Sequence, residues 1–498
     1  MTRQGGLNRH PREKFLQMDV MGEKPAHQGT SGTEHPASKR KVGAPVRVTI
    51  DAMVNQVPIL RRSRKAAQEL VACAMLLCAA GAAPGQGTLT IPEMGPYIKP
   101  EPKVFEKYPE KPSLTPAFTM PVGPLGFSAP SDFYLFRGRG LVSLDFLDEN
   151  RLLFTFRKPG LGMRGAESGE DEEKLRAVVI ALADGRIDPQ ADWVVPDGGR
   201  YLWMLKDGHY LLRSEGGLLQ GDATLTTRPY LDFPGRLLWV DLDPDQRTMV
   251  TNSLESSLPS QPSDQAHDPP RGPSATTTDA QKPSADQTLV VRTLNRETGQ
   301  LIKMIRLPWD AQNKDWPVNA DGYVVSSHDK DTQWTLHMDS FSGAMKVLGH
   351  MDSTCMPDGA FATEAELLVK TCAESGGGKL TAMSAVDGKF TWQATTATNA
   401  ARPLLVASPD GSRVALEAVV LRHAASHYRH MKQVDPDELE GQMVRVLDTA
   451  DGTLKLEAPL SPMLDGGGNV AISPTGRRVA ILNDGAIEVF DLPAARLP

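Results

Sequence analysis

The feature that most constrains this 498-residue chain is a short pattern that recurs seven times after residue 141. Each copy has an apolar run, a turn rich in Asp, Gly and Asn, and a second apolar run, which together predict a β-hairpin. A repeat every few tens of residues predicts units that bury their apolar faces against their neighbours. The copies are LDFLDENRLLFTF (144–156), YLWMLKDGHYLLR (201–213), LLWVDLDPDQRTMV (237–250), WPVNADGYVVSS (316–327), GAFATEAELLVKT (359–371), LLVASPDGSRVAL (404–416) and NVAISPTGRRVAIL (469–482).

The spacing of the seven turns predicts the size of the repeating unit. The intervals between turns are 59, 38, 76, 42, 47 and 65 residues. The three longest intervals contain polar insertions, at 159–174, 253–287 and 422–441, the second of which we expect to be disordered. Without the insertions the unit has about 42 to 45 residues, the size of a four-stranded propeller blade. The turn markers are Asp148, Asp207, Asp245, Asp321, Thr363, Asp410 and Thr475.

The second half of each unit completes a four-stranded blade. A third apolar run ends in a turn containing Gly, as in VRVLDTADG (444–452), and a fourth strand follows. The last unit stops at EVFDLP (488–493), so we expect an N-terminal strand near Phe133 to Arg137 to close the ring. The predicted fold is all-β, a seven-bladed β-propeller with four-stranded antiparallel blades. Six or eight blades, an open β-solenoid and two packed sandwiches are the alternatives.

Two pairs of segments near the C-terminus resemble a known family. VASPDGSRVAL (406–416) with VRVLDTADGTL (444–454), and VAISPTGRRVAIL (470–482) with IEVFDLP (487–493), are similar to the repeats of WD40-like and YVTN-type bacterial β-propellers. The resemblance covers roughly residues 120–498. The Gly-His and Trp-Asp pairs of true WD40 repeats are missing at the matching positions. The resemblance therefore implies the fold, and functions within such a superfamily vary widely.

The N-terminal part of the chain predicts export. Residues 1–52 are polar, and we expect them to be a disordered extension of the gene model, so that Met53 is the true initiator. Residues 53–83 have the basic, apolar and small-residue regions of a signal peptide, with cleavage near Ala82 and Ala83. Residues 84–118 are dense in proline and predict an extended linker, so the propeller is expected over 119–498.

The mature protein is then expected in the periplasm or outside the cell, as a monomer without a stable membrane span. The apolar stretch ending at Ala83 has 14 residues, too few to cross a bilayer. A buried helix of a cytosolic protein is one alternative for this stretch. A lipid anchor at Cys78 is another, although Leu77 is bulky for the residue before a lipidated cysteine.

Charge argues against nucleic acid as a partner. Residues 1–83 contain 13 Lys and Arg against 6 Asp and Glu, whereas the whole chain has a net charge of −7. The remainder is therefore strongly acidic and would repel a phosphate backbone.

Cys355 and Cys372 are the two cysteines that remain after the signal peptide is removed. If 362–365 is the turn of the fifth repeat, Phe361 opposes Glu366, and stepping outward places Cys355 opposite Cys372. Directly opposed residues on antiparallel strands can form a disulfide, which an oxidising compartment would favour. We predict this disulfide, with two buried free thiols as the alternative.

Three histidines are the candidate metal ligands. His423, His427 and His430 would share one face of a helix, but they lie in a polar insertion with nearby basic residues, so a solvated loop is the competing interpretation. The acidic run 167–173 likewise reads as a solvated loop rather than a calcium site. We predict no resident metal.

No cofactor site is predicted either. Trp392 lies in SAVDGKFTWQA (384–394), which is similar to a repeat of quinoprotein dehydrogenases, but the motif occurs once. Packing between blades is therefore the expected role of the seven tryptophans, with an aromatic ligand platform as the alternative.

The sequence contains no catalytic motif: GxSxG is absent, and Gly376 to Gly378 lack the following helix of a phosphate site. The expected function is an exported scaffold that binds a protein, peptide or glycan on one rim. A lactonase-like or quinoprotein-like enzyme, with its site at the centre of the ring, is the alternative.

Overall fold

The structure is a computed structural model that describes residues 103–105, 112–129, 142–157, 172–196, 199–256, 287–308, 316–425, 434–464 and 466–495. These residues belong to one compact unit with 28 β-strands and no α-helix. Among them, no helix has the length and apolar character needed to cross a bilayer. The predicted signal peptide and the extension before it lie outside the described residues.

The strands form seven sheets, each built almost entirely from consecutive strands. The predicted all-β, seven-bladed β-propeller is therefore confirmed. Blade 1 contains β3 (Val142–Asp148), β4 (Arg151–Arg157), β5 (Glu172–Ala181) and β6 (Ile187–Pro196). Blade 2 contains β7 (Leu202–Met204), β8 (Tyr210–Arg213), β9 (Gly217–Gly221) and β10 (Thr227–Asp232). Blade 3 contains β11 (Arg236–Leu242), β12 (Thr248–Ser256), β13 (Gln287–Asn295) and β14 (Leu301–Pro308).

The remaining four blades follow in sequence order. Blade 4 contains β15 (Gly322–Lys330), β16 (Gln333–Ser340) and β17 (Met345–Asp352), and blade 5 contains β18 (Asp358–Thr363), β19 (Glu366–Cys372), β20 (Gly378–Ser384) and β21 (Phe390–Thr395). Blade 6 contains β22 (Ala400–Ala407), β23 (Arg413–Leu421), β24 (Leu439–Asp448) and β25 (Leu454–Leu460), and blade 7 contains β26 (Val470–Ile472), β27 (Arg478–Asn483) and β28 (Ala486–Asp491). Two N-terminal strands, β1 (Lys103–Phe105) and β2 (Phe118–Pro121), join blades 5 and 7.

The strand that completes blade 7 is β2. It pairs antiparallel with β28, with Phe118 opposite Val489 and Pro121 opposite Ala486. The side chain of Phe118 packs against the core between blades 7 and 1. A closing strand from the N-terminal side is thus present, but at Phe118–Pro121; the position at which we predicted it, 133–137, lies outside the described residues.

Blades 4 and 5 depart from the regular pattern. In blade 4 the first strand is reduced to a bridge between Val318 and Tyr323, next to Pro317, which has no N–H to offer a ladder. In blade 5, β1 adds a fifth strand parallel to β21, with Lys103 opposite Trp392. Part of the proline-rich segment 84–118 is therefore a strand.

The apolar cores lie between neighbouring blades. Leu152 of blade 1 shares one cluster with Ile487 of blade 7, and Trp392 of blade 5 shares another with Val414 of blade 6. Each blade therefore buries its faces only against its two neighbours, as the repeat pattern predicts.

Candidate functional site: the insertion face and the inner wall

The antiparallel strand order gives the ring two different faces. Turns between first and second strands, and between third and fourth strands, lie on one side, the hairpin face. Turns between second and third strands and the connections between blades lie on the other side, the insertion face. First strands of neighbouring blades contact one another, such as β3 with β7 and β22 with β26, and form the inner wall.

A single carboxylate joins three blades on the hairpin face. Glu364, in the turn between β18 and β19, accepts a hydrogen bond from the backbone N–H of Asp245 at Oε1 (3.2 Å) and from that of Ala320 at Oε2 (2.7 Å). The Asn319 amide donates to the Glu364 carbonyl oxygen (3.0 Å). The first turns of blades 3, 4 and 5 are therefore held together by one side chain and its own backbone.

Other first turns are linked in the same way. Glu149 of blade 1 accepts a hydrogen bond from the backbone N–H of Thr475 in blade 7 (2.8 Å). Gln246 of blade 3 accepts from the backbone N–H of Lys206 (2.6 Å) and donates to the carbonyl oxygen of Met204 (3.2 Å). Hydrogen bonds to main-chain groups of neighbouring blades thus fix the positions of these turns relative to one another.

The hairpin face also carries an open cavity of about 450 Å³ between blades 1, 2 and 7. Its wall has charges of both signs, with Arg151 beside Asp148 at 2.7 Å and with Lys206 and Glu149 also lining it. The neighbouring opposite charges partly neutralise each other, so this wall presents no strong attraction for ions of one sign.

All three long insertions leave and rejoin the blades on the insertion face. We predicted them at 159–174, 253–287 and 422–441, and these bounds were too wide, because 172–174 belong to β5, 253–256 to β12, Gln287 to β13 and 439–441 to β24. Residues 158–171, 257–286 and 426–433 lie outside the described part of the chain. Each follows a second strand and precedes a third. In blade 3 the flanking residues Ser256 and Gln287 are directly paired, so the ends of the insertion are held side by side on the rim.

The disulfide lies on the insertion face as well. Cys355, in the connection between β17 and β18, is bonded to Cys372 at the end of β19, with 5.5 Å between the Cα atoms. The Ser353 hydroxyl accepts hydrogen bonds from the backbone N–H groups of Cys355 (3.3 Å) and Cys372 (2.9 Å). The connection that leads into blade 5 is therefore fastened to the end of β19, an inner strand of that blade.

The strand register behind the predicted disulfide differs from the observed one. Thr363, rather than Phe361, lies opposite Glu366, because a bulge between Phe361 and Thr363 shifts the pairing. Since β18 begins only at Asp358, Cys355 lies in the preceding loop and reaches Cys372 from there, not from an opposed strand position. The loop bends at Thr354 and Cys355, and the Thr354 backbone N–H donates to the Cys372 carbonyl oxygen (3.1 Å), which brings the loop beside the end of β19.

Polar side chains of blades 1 and 2 lie on the inner wall. Ser143 donates a hydrogen bond to Asp145 Oδ2 (2.6 Å), both on β3. Burial raises the pKa of the Asp145 carboxyl, while the Ser143 hydroxyl and the charge of Arg200 act in the opposite direction. Arg200 donates from Nε to the Leu202 carbonyl oxygen (2.8 Å), and its guanidinium lies 5.9 Å from the ring centre of Trp203.

A second polar group lies on the first strand of blade 5. Asp358 forms an ion pair with Lys370 (2.8 Å), whose ammonium also donates to the carbonyl oxygen of Pro403 in blade 6 (2.8 Å). A cavity of about 100 Å³ beside the shortened first strand of blade 4 is lined by Asp358 and by Asp241 of blade 3. Its volume is below the usual range of small-molecule pockets, about 300 to 1,000 Å³.

The structure places one of the three candidate metal-binding histidines. His423 forms a hydrogen bond through Nδ1 with Glu438 Oε2 (2.6 Å), and both side chains are partly exposed. His427 and His430 lie outside the described residues. Within the part of the chain that the structure describes, no three His, Cys, Asp or Glu side chains are grouped so that they could hold a metal ion.

Several tryptophans are buried between blades, the role that we predicted for them. Trp392 is fully buried and donates from Nε1 to the carbonyl oxygen of Thr449 in blade 6. Trp193 packs against Tyr210 with ring centres 5.2 Å apart, and Trp316 stacks on Tyr323 at 5.0 Å. Trp309 lies outside the described residues.

Sequence reasoning missed the residues that join the blades. Glu364 and Lys370 lie inside the fifth repeat and Arg200 directly before the second, but the repeat pattern does not single them out. Each acts on a residue of another strand or blade. A partial signal existed for Glu364, which directly follows the turn marker Thr363.

Among known proteins, this chain shows similarity to solved structures only. No family model matches the sequence, and no match was found among curated proteins. The acylaminoacyl peptidase of Pyrococcus horikoshii is 12% identical with a TM-score of 0.42, over 73% of this chain and 53% of that one. The chain therefore spans about half the length of that peptidase.

Two further solved structures are similar to a comparable extent. Hydrazine synthase of Kuenenia stuttgartiensis is 11% identical with a TM-score of 0.39, over 74% of this chain and 99% of that one. TolB of Acinetobacter baumannii is 11% identical with a TM-score of 0.33, over 66% and 79%. Likeness at this level carries no argument about activity.

Proposed function

We propose that the protein is an exported scaffold that binds a protein, peptide or glycan partner on its insertion face. The observation that carries this proposal is the arrangement of the rims. Three long insertions start and end on one face, whereas the first turns on the opposite face are joined by side-chain hydrogen bonds. Long loops carried by a rigid framework are where proteins commonly place binding residues.

Export rests on two further observations. Residues 53–83 have the pattern of a signal peptide, and the disulfide between Cys355 and Cys372 belongs to an oxidising compartment. The segments at 406–416 and 470–482 favour membership of the WD40-like or YVTN-type propellers. We propose that the mature protein is a monomer in the periplasm or outside the cell.

The proposal is tested by altering one face of the ring at a time. In one variant a short Gly-Ser linker replaces residues 258–285, which the direct pairing of Ser256 with Gln287 permits without moving either strand. A matched control, Lys206→Ala with His209→Ala, alters the cavity on the hairpin face. Each protein is crosslinked at native abundance in its own cells, and the recovered partners are quantified by mass spectrometry.

We expect the recovered amount of a reproducible partner to fall at least tenfold with the insertion variant and to stay unchanged with the hairpin-face control. The opposite pattern would place binding on the hairpin face and refute the proposal. Absence of any partner, together with turnover of a small substrate by the purified protein, would refute it in favour of an enzyme.

A lactonase-like activity is the second candidate, because Asp145, Asp241 and Asp358 come from the inner wall of three blades. Carboxylates on an inner wall can act in general acid–base chemistry. The test is hydrolysis of a lactone panel by the wild type and by Asp145→Asn and Asp241→Asn variants. Nothing favours the quinoprotein-like version, because Trp392 is fully buried between blades 5 and 6.

A further inference from the structure

The outer strands of blades 3 and 4 expose a group of large apolar side chains, which we call the lateral patch. The exposed fractions of these side chains run from 44% to 68%. Exposed apolar side chains that lie together on a protein surface mark a contact surface. The lateral patch consists of Leu301, Ile302 and Met304 on β14 and of Met345 and Val347 on β17.

Outer strands elsewhere in the ring are built differently. In blade 1, β6 exposes Asp188, Gln190 and Asp192 and a single large apolar side chain, Val194. In blade 6, β25 exposes only Pro459 among its seven residues. The lateral patch is therefore not a requirement of the propeller fold.

The outer edge of β17 is open for pairing. β14 and β17 are the last strands of their sheets, and within the described ranges no strand pairs with their outer edges. The next blade shows such an edge occupied, because β1 lies parallel to β21, and Lys103 at the start of β1 pairs with Asp451 of blade 6 (3.0 Å). An outer edge of this ring can therefore take an added strand, held by backbone pairing and a flanking pair of charges.

Successive side chains of β17 point to opposite sides of the strand. Lys346 lies opposite Met338, which packs in the core shared with blade 5, and its ammonium donates to the carbonyl oxygen of Val386 in that blade. By alternation, Met345 and Val347 point toward blade 3. A strand added to β17 would place every second side chain over these two apolar residues and the others beside Lys346.

The charge around the lateral patch is positive, although the chain after residue 83 is strongly acidic. β14 carries Lys303 and Arg306 and no acid, and β17 carries Lys346 with Asp352 as its one acid. Among the described residues neither lysine forms an ion pair, and each ammonium donates to a backbone carbonyl oxygen of the next blade. These cations favour an acidic occupant, whereas a second copy of the patch would bring like charges together.

We propose that an extended segment of a partner protein, with apolar and acidic residues in alternation, adds as a strand to the outer edge of β17. Its apolar side chains pack on Met345 and Val347, and its carboxylates lie beside Lys346. Its backbone pairs with β17 in the way that β1 pairs with β21. The lateral patch is on the outer side of the ring, so this inference is independent of binding on the insertion face.

The probe for this site is a library of random linear peptides displayed on phage and selected on the mature protein. We expect the selected sequences to alternate apolar and acidic residues. A labelled synthetic copy of a selected peptide should bind about tenfold more weakly to Val347→Asp and to Lys346→Glu, because each variant places a carboxylate where the peptide brings an apolar group or its own carboxylate. The matched control is Val194→Asp on the outer strand of blade 1, which should bind like the wild type. All three residues are exposed, so the unfolding temperature should not change.

Backbone pairing is tested with the same peptide. Only one edge of an added strand faces β17, so methylation of every second backbone nitrogen should abolish binding in one of the two alternating sets and leave it intact in the other. Equal effects of the two sets would refute strand addition.

Three other results would overturn the proposal. One is a selection that yields no peptide sensitive to Val347→Asp. The second is binding of the wild type, but not of Val347→Asp, to vesicles containing phosphatidylglycerol, which would assign the lateral patch to a membrane. The third is self-association in sedimentation that Val347→Asp removes, which would assign it to a second copy of the chain.

Discussion

Replacing Glu364 should loosen three blades at once. Its two carboxylate oxygens accept backbone hydrogen bonds from blades 3 and 4, at 3.2 and 2.7 Å. A hydrogen bond to a charged group contributes about 1.5 to 3 kcal/mol, and the partial exposure of Glu364 places both bonds near the lower limit. We expect Glu364→Ala to lower the free energy of unfolding by about 2 to 4 kcal/mol. Glu364→Gln, which keeps one acceptor, should lower it by about 1 to 2 kcal/mol.

The assay is urea unfolding at pH 7, followed by tryptophan fluorescence, with Glu374→Ala in the exposed turn between β19 and β20 as the control. Because the Asn319 amide contacts the backbone of Glu364, its hydrogen bond persists in both variants. If Glu364→Ala stays within about 0.5 kcal/mol of the wild type, as ordinary surface substitutions do, the argument that this side chain holds the hairpin face together is refuted.

Three further predictions concern packing, covalent structure and pH. Gly452→Ala should lower the free energy of unfolding in urea by about 2 to 4 kcal/mol, since the residue has φ +70° and a Cβ atom would lie 2.7 Å from Trp392. Its control, Gly485→Ala, has φ +73° and open space around the added methyl group, so it should lower the free energy by only about 1 kcal/mol. Cys355→Ser should cost about 3 kcal/mol, because the lost disulfide closes a loop with a sequence separation of 17, and dithiothreitol should then leave the variant's stability unchanged. Burial raises the pKa of Glu366 from 4.5 to about 7, so as the pH rises the unfolded state loses this proton first. The free energy of unfolding of the wild type should therefore fall relative to that of Glu366→Gln as the pH rises between those two values. Parallel curves of stability against pH would contradict this.

The hairpins were predictable because their signals are local. Asp410 and Thr475, for example, lie in the first turns of blades 6 and 7, between apolar runs that became β22 with β23 and β26 with β27. The alternation of apolar residues along a strand and the residue types of a turn both depend only on neighbours in the sequence. Gly452 shows the same locality, since it ends the turn that follows the third strand of blade 6 and has a positive φ.

The closing strand was not located correctly because its pairing is not local. Phe118–Pro121 is four residues long and follows a proline-rich segment, so its own sequence resembles a linker. It becomes a strand only because Val489 and its neighbours offer an unpaired edge. Blade 5 shows the same effect, where three residues around Val104 pair with β21.

The candidate site was predictable only in outline. The insertions were visible in the sequence, and their common face follows from counting strands within each blade. Glu364 and Lys370 act on residues brought close by the ring, which no local pattern reports.

The ring has seven blades and β2 closes the last of them, an arrangement that an engineered disulfide tests most directly. Val122 donates from its backbone N–H to the Gly485 carbonyl oxygen, so by alternation Thr119 and Glu488 form a non-hydrogen-bonded pair, the kind suited to a disulfide. Thr119→Cys with Glu488→Cys should crosslink in nearly every molecule, as shown by peptide mapping without reduction. The diagonal control, Thr119→Cys with Ala486→Cys, should stay reduced. A reduced Thr119–Glu488 pair, or equal crosslinking of the control, would contradict the closed ring.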